Sequence, residues 1–103
     1  MARDEQAIEA EIQAKGLNAP RLSPAHIDAQ IAGEEYHVFS NRRTTVCMLT
    51  LQNGYAIIGE SSAVHADNFD EELGRKISRD NARSKIWALE GYLLRSRLAA
   101  AHS

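Results

Sequence analysis

Asn53-Gly54 stands between two runs of β-branched and apolar residues, TTVCMLTL and YAIIGES. Both turn residues tolerate the positive φ of a type I′ turn, which makes this dipeptide the strongest short-range hairpin signal in the chain. A two-residue loop there sets Leu51 opposite Ala56 and Leu49 opposite Ile58. Those pairs share one face with Cys47, so that face is assigned to the core. Upstream, EYHVF (residues 35–39) supplies a third strand, joined through a turn at SNRR, residues 40–43. The expectation is a three-stranded antiparallel meander.

Helices flank it. Residues 2–15 favour helix, but Ile8 and Ile12 are the only large apolar pair, so this helix is expected to be peripheral; Gly16 and Asn18 suit its end. In LSPAHIDAQIAG, Ser23 is a good N-cap, Pro24 fits the first helical position, and Ile27 and Ile31 repeat at i, i+4 before Gly33. After Ser61 one long helical pattern begins, with His65 or Asp67 as its cap and Asp70, Glu71 and Glu72 in turns where the helix dipole favours acids. It runs to about Leu98, roughly 45–50 Å at 1.5 Å per residue. That exceeds the diameter of a domain this size, so a break near Asn81 or an overhang onto a partner is expected. The fold class is α+β in a single domain, with residues 1–22 peripheral and 23–98 as the core.

Bulk composition narrows the function. At 103 residues with net charge −2, the chain lacks the basic excess of a general nucleic-acid binder. Cys47 is the sole cysteine, which excludes an internal disulfide and suits a reducing compartment. The start, MARDEQAIEA, places acids where a signal peptide needs an apolar run, and no stretch is long enough to span a bilayer, so a cytoplasmic location is expected. His26, His37, His65 and His102 fall in different segments without the spacing of a zinc site. Gly59-Glu60-Ser61 lacks the G-x-S-x-G pattern of a nucleophile elbow. Cys47 in a strand core reads as an inert packed thiol. With no phosphate-cradling glycine loop either, the chain is expected to be no enzyme, with no metal and no cofactor.

Charge is unevenly spread. Residues 1–35 hold three bases and seven acids, whereas GRKISRDNARSKIW (residues 74–87) holds five bases and one acid. At about 100° per residue, Phe69, Leu73 and Ile77 form one apolar ridge and Ala82, Ile86, Leu89 and Leu93 a second on roughly the opposite side. Trp87, Leu94 and Leu98 return to the first side. One small sheet covers a single direction, so a second copy of the chain is expected on the other, with a kink that folds back the last turns as the alternative. Arg75, Arg79 and Arg83 stand at i, i+4, i+8 beside that second stripe. Glu71 precedes Arg75 by four residues and Asp80 precedes Arg83 by three, so one reading is a solvated face of weak ion pairs. The other is an anion site, since a guanidinium fork holds phosphate bidentately and stacks on a base. Arg42 and Arg43 can add to it, and Phe69 and Tyr92 are the available stacking rings, though both also suit a core.

The order of motifs adds to this. Val46-Cys47, Asn53-Gly54, Gly59 to Ser61, Asn68 to Asp70, Gly74 to Ile77, Lys85 to Trp87 and Glu90 to Leu94 together resemble a family of small phage and prophage proteins, over about residues 23–98. The first hairpin turn, Ser40 to Arg43, and His65-Ala66-Asp67 depart from the family pattern. The family also looks like the Thoeris anti-defence proteins, which sequester a cyclic ADP-ribose signal; some also hold cyclic oligonucleotides. That resemblance implies a non-catalytic sponge in the cytoplasm of an infected or lysogenic bacterium. It further implies a homo-oligomer, dimer or hexamer, with ligand pockets between subunits. The residues expected to bind are Arg75, Arg79, Arg83, Arg42, Arg43 and Phe69. The alternative is a phage accessory protein whose basic ridge meets an acidic partner or DNA, the latter disfavoured by the net charge.

Overall fold

The structure is a computed structural model that describes residues 4–101; Ala2 and Arg3 of the expected first helix, and His102, lie outside the described residues. The element order is α1 (Glu5–Ala14), α2 (Pro24–Ala29), β1 (Ile31–Val38), β2 (Thr44–Leu51), β3 (Ala56–Ser62), a 3-10 turn (Ala66–Asn68) and α3 (Glu71–Ala101). The strands form one antiparallel sheet in the order β1-β2-β3. The α+β class and the meander are as the sequence indicates.

Local chemistry sets the ends. Asp4 caps α1 by accepting the Ala7 N–H. Gly16, at φ +65°, closes α1 with Leu17 N–H bonded to the Ile12 carbonyl and Gly16 N–H to that of Gln13. No residue of α1 is buried. Ser23 caps α2 through the His26 N–H, with Pro24 at the first helical position. This second helix stops at Ala29 rather than running to Ile31. Ile31 instead opens β1 opposite Leu51, and the Gln52 N–H bonds the Gln30 carbonyl. Sheet hydrogen bonds claim the segment that helical spacing had suggested, and β1 begins four residues earlier than EYHVF indicates. A register shift between Ile31 and Gly33 bulges its start.

The β2–β3 hairpin corrects a second expectation. Gly54, at φ +89°, donates to the Leu51 carbonyl, and Leu51 donates to that of Tyr55. The loop therefore has three residues, a turn followed by a left-handed glycine. Leu49 faces Ile57 and Thr50 faces Ala56, one residue out of the expected register. Since side chains alternate, that single step turns Ile57 and Gly59 inward and leaves Ile58 45% exposed.

The core joins Ile27, Cys47, Leu49, Leu51, Ile57, Ala82 and Ile86, with Leu22, Ile31, Tyr36 and Trp87 packed around it. The buried stripe of α3 is Gly74, Ser78, Ala82 and Ile86. It is mostly small, so the helix backbone lies directly on the sheet at Gly59. The expected ridge Phe69-Leu73-Ile77 is thereby left beside the contact, with Leu73 and Ile77 exposed. Asp70, rather than His65 or Asp67, caps α3 by accepting the Leu73 N–H; His65 instead caps the 3-10 turn. The helix is unbroken at Asn81, whose side-chain amide donates to the Glu60 carbonyl on β3 at 2.8 Å. Its 31 residues outrun the sheet, and the molecule measures 53 Å on its longest axis.

Candidate functional site

The six residues singled out above separate onto two flanks of α3. At about 100° per residue, Arg75 and Ile77 fall on opposite sides of the buried Gly74-Ser78-Ala82-Ile86 stripe.

On the β1 flank the arginine row is already occupied. Arg75 pairs with Glu71 at 3.1 Å on an exposed face. Arg79 donates from Nε to Glu34 of β1 at 2.6 Å. Arg83, with its side chain 13% exposed, donates from Nε to Asp28 and from Nη1 to both oxygens of Glu5, each at 2.7 Å. Its Nη2 reaches the Pro24 carbonyl. The hydrogen bond from Arg79 holds the Glu34 carboxyl below its ordinary range, and Glu34 in turn raises Arg79. Burial pulls the Arg83 pKa down, but its bonds to Glu5 and Asp28 outweigh that and the net shift is upward. Of the two readings of this row, the ion-paired one describes it: each of the three guanidiniums has a carboxylate partner. Sequence spacing reveals acids on the same helix; Glu34, Asp28 and Glu5 come from other elements, 45, 55 and 78 positions away.

Next to this row, burial and then a hydrogen bond to Glu34 push the Tyr36 phenol up to about 12. Burial likewise raises the Cys47 thiol. Such a thiol stays protonated, which suits packing rather than attack. Among the described residues no group of three His, Cys, Asp or Glu is placed to hold a metal.

On the β3 flank lies an open cleft of about 300 Å³. Phe69, extended between the 3-10 turn and α3, lines it with Leu73, Ile77, Ala63 and Val64; its polar lining includes Ser61 and Ser62 of β3, Asn68, Asp70 and Arg43. Arg43 enters because the β1–β2 turn folds back on itself. Asn41 Oδ1 accepts the Arg43 and Thr44 N–H groups, and Arg42 takes the left-handed conformation at φ 57°. The Arg43 carbonyl then accepts the Ala63 N–H, and its Nη1 reaches the Val64 carbonyl at 3.3 Å. Among the described residues no carboxylate forms an ion pair with Arg43 or Arg42. Asp70 is the one acid lining the cleft, and its Oδ1 is engaged in capping α3. The cleft thus unites two of the six expected residues, Arg43 and Phe69. Ser61, Ser62 and Asn68 were missed, because their convergence depends on where the strand end meets the start of α3.

A three-stranded meander backed by one helix that overruns it, with a mixed aromatic and cationic cleft at the helix start, defines a small α+β scaffold. Residues 22–98 match the family described as Phage protein (N4 Gp49/phage Sf6 gene 66), and the chain belongs to that family. The match begins at Leu22, so α1 lies ahead of it. No curated protein and no solved structure matches the chain. Among the described residues no helix is long and apolar enough to cross a membrane.

Proposed function

We propose that this phage protein captures a cyclic ADP-ribose-type or cyclic oligonucleotide signal and holds it without cleavage, in the manner of an anti-defence sponge within the bacterial cytoplasm. The observation that carries this reading is the cleft lined by both Arg43 and Phe69 and edged by hydroxyl and amide groups, where among the described residues Arg43 forms no ion pair with a carboxylate. A ring offers a stacking surface for a purine, a guanidinium takes a phosphate, and Asn68 and Ser61 bond the polar edges. About 300 Å³ lies at the small end of ligand pockets, so a dinucleotide-sized guest requires a further wall. A second copy supplies it in this proposal. The C-terminal half of α3 presents Leu89 and Leu93 at 40% exposure and Tyr92 at 78%, a surface suited to a homo-oligomer.

The competing reading, a basic ridge facing DNA or an acidic protein, loses its motivating feature once Arg79 and Arg83 are bound to the chain's own acids. Capture and release separates the two. Protein incubated with the product of a TIR-domain enzyme, washed and then heated is expected to return the ligand intact. Recovery of cleaved products, or of no ligand, contradicts sequestration.

A further inference from the structure

Helix α1 buries no residue, and carboxylates contribute prominently to its attachment to the rest of the chain. Glu5 accepts Arg83 Nη1 on both oxygens at 2.7 Å and Trp87 Nε1 at 2.8 Å. One turn on, Glu9 accepts both terminal nitrogens of Arg21 at 2.8 Å, a bidentate fork. Apolar contact beneath the helix is slight: Ile8 is 44% exposed, and a void of about 70 Å³ remains between Ile8, Ile12, Pro24 and Trp87. A ten-residue helix of this kind is marginal without its anchors. Arg83 and Trp87 lie within the family region, whereas Glu5 and Glu9 precede it.

We propose that Arg83, Trp87 and Arg21 form an oxyanion site for a ligand carrying two linked anionic groups, of the diphosphate class, and that Glu5 and Glu9 occupy it as an internal stand-in. Glu5 and Glu9 stand about one helical turn apart, a backbone rise of about 6 Å, and each carboxylate meets its own guanidinium. Asp28 fixes the Nε edge of Arg83 and Pro24 its Nη2, which aims Nη1 into the site. With α1 seated, Glu5, Glu9 and Asp28 balance Arg83 and Arg21; with α1 displaced, Asp28 stays on Arg83, Arg21 gives up its Glu9 partner, and the site becomes cationic. A diphosphate restores the balance that Glu5 and Glu9 provide. Because the stand-in is tethered, its effective concentration is of millimolar order, and a free ligand of equal intrinsic affinity must exceed that to displace it. This site is separate from the Arg43–Phe69 cleft and stands whether or not that cleft binds a nucleotide.

The test uses the full chain and inorganic pyrophosphate, at ionic strength held constant with chloride. Trp87 is the only tryptophan, so its emission reports on the seat of Glu5 directly. A saturable emission change, with loss of amide-exchange protection confined to residues 5–14, is expected in the wild type. In the Glu5→Ala/Glu9→Ala double variant the midpoint is expected to fall at least about tenfold, because the tethered competitor is gone. Pyrophosphate binding by the double variant, even where the wild type responds only at high concentration, supports the site. No saturable response in a double variant whose far-ultraviolet dichroism shows a fold overturns it, as does an equal response to chloride alone. Should the double variant unfold, the wild-type exchange at residues 5–14 decides: unchanged protection under saturating pyrophosphate overturns the proposal.

Discussion

Gly59 of β3 lies against the backbone of Ala82 on α3, and a Cβ placed on Gly59 falls 2.7 Å from the Ala82 Cα. No rotamer relieves that overlap, because backbone meets backbone. This contact lets a stripe of small residues bring α3 onto the sheet. It also fixes the height at which Phe69, Leu73 and Ile77 stand over the end of β3. Gly59→Ala is therefore expected to destabilise the fold by about 3 kcal/mol or more, read as a lower urea midpoint. Gly33→Ala, where a Cβ meets nothing within 4 Å, is the control and should change stability by less than about 1 kcal/mol.

Thr45 is fully buried, and among the described residues its hydroxyl has no hydrogen-bond partner. An unpaired buried hydroxyl costs about 1–3 kcal/mol, whereas a methyl of the same shape costs nothing comparable. Thr45→Val should stabilise the protein by about 1 kcal/mol in thermal or urea unfolding. Destabilisation of similar size would show that the hydroxyl is satisfied.

Two groups give a pH dependence of known sign. Glu34 is depressed in the fold by its bond to Arg79, so it contributes stability above its unfolded value, about 4.3, that is lost as pH falls through the folded value. Glu34→Gln should flatten that acid limb of the stability curve. Tyr36 is raised to about 12, chiefly by burial. Its contribution is full below the unfolded value, about 10, and disappears as pH rises towards the folded one. Absorbance titration at high pH should show a late tyrosinate component that Tyr36→Phe removes.

Leu93, 40% exposed on the overrun of α3, is expected to lie in the seam between copies. Leu93→Glu should leave far-ultraviolet dichroism unchanged and shift sedimentation to the monomer. A variant that sediments like the wild type contradicts a seam at Leu93.

What the sequence disclosed follows from the range of each interaction. Ser23-Pro24, Gly16 and the alternation of Cys47, Leu49 and Leu51 act within a few residues, and each appears where its spacing puts it. The β2–β3 register failed by one residue because Asn-Gly serves both a two-residue turn and a three-residue loop with a left-handed Gly54, and only pairing along the strand separates them. Ile31 satisfied a helical spacing and a strand equally, and the sheet decided. The arginine row failed for a longer-range reason. An i, i+4 ladder shows the acids on its own helix but not Glu34, Asp28 or Glu5, which tertiary packing delivers. Arg43 and Phe69 were legible as residue types; their meeting in one cleft was not.

The cleft rather than the arginine row is the centre of this account, and calorimetric titration with a cyclic ADP-ribose-type ligand tests it most directly. Arg43→Ala and Phe69→Ala should each weaken binding by at least about tenfold, a loss of 1.4 kcal/mol or more, while Arg79→Ala binds like the wild type. Undiminished binding by the first two variants, with loss in Arg79→Ala, contradicts the account and returns the site to the ridge on the β1 flank.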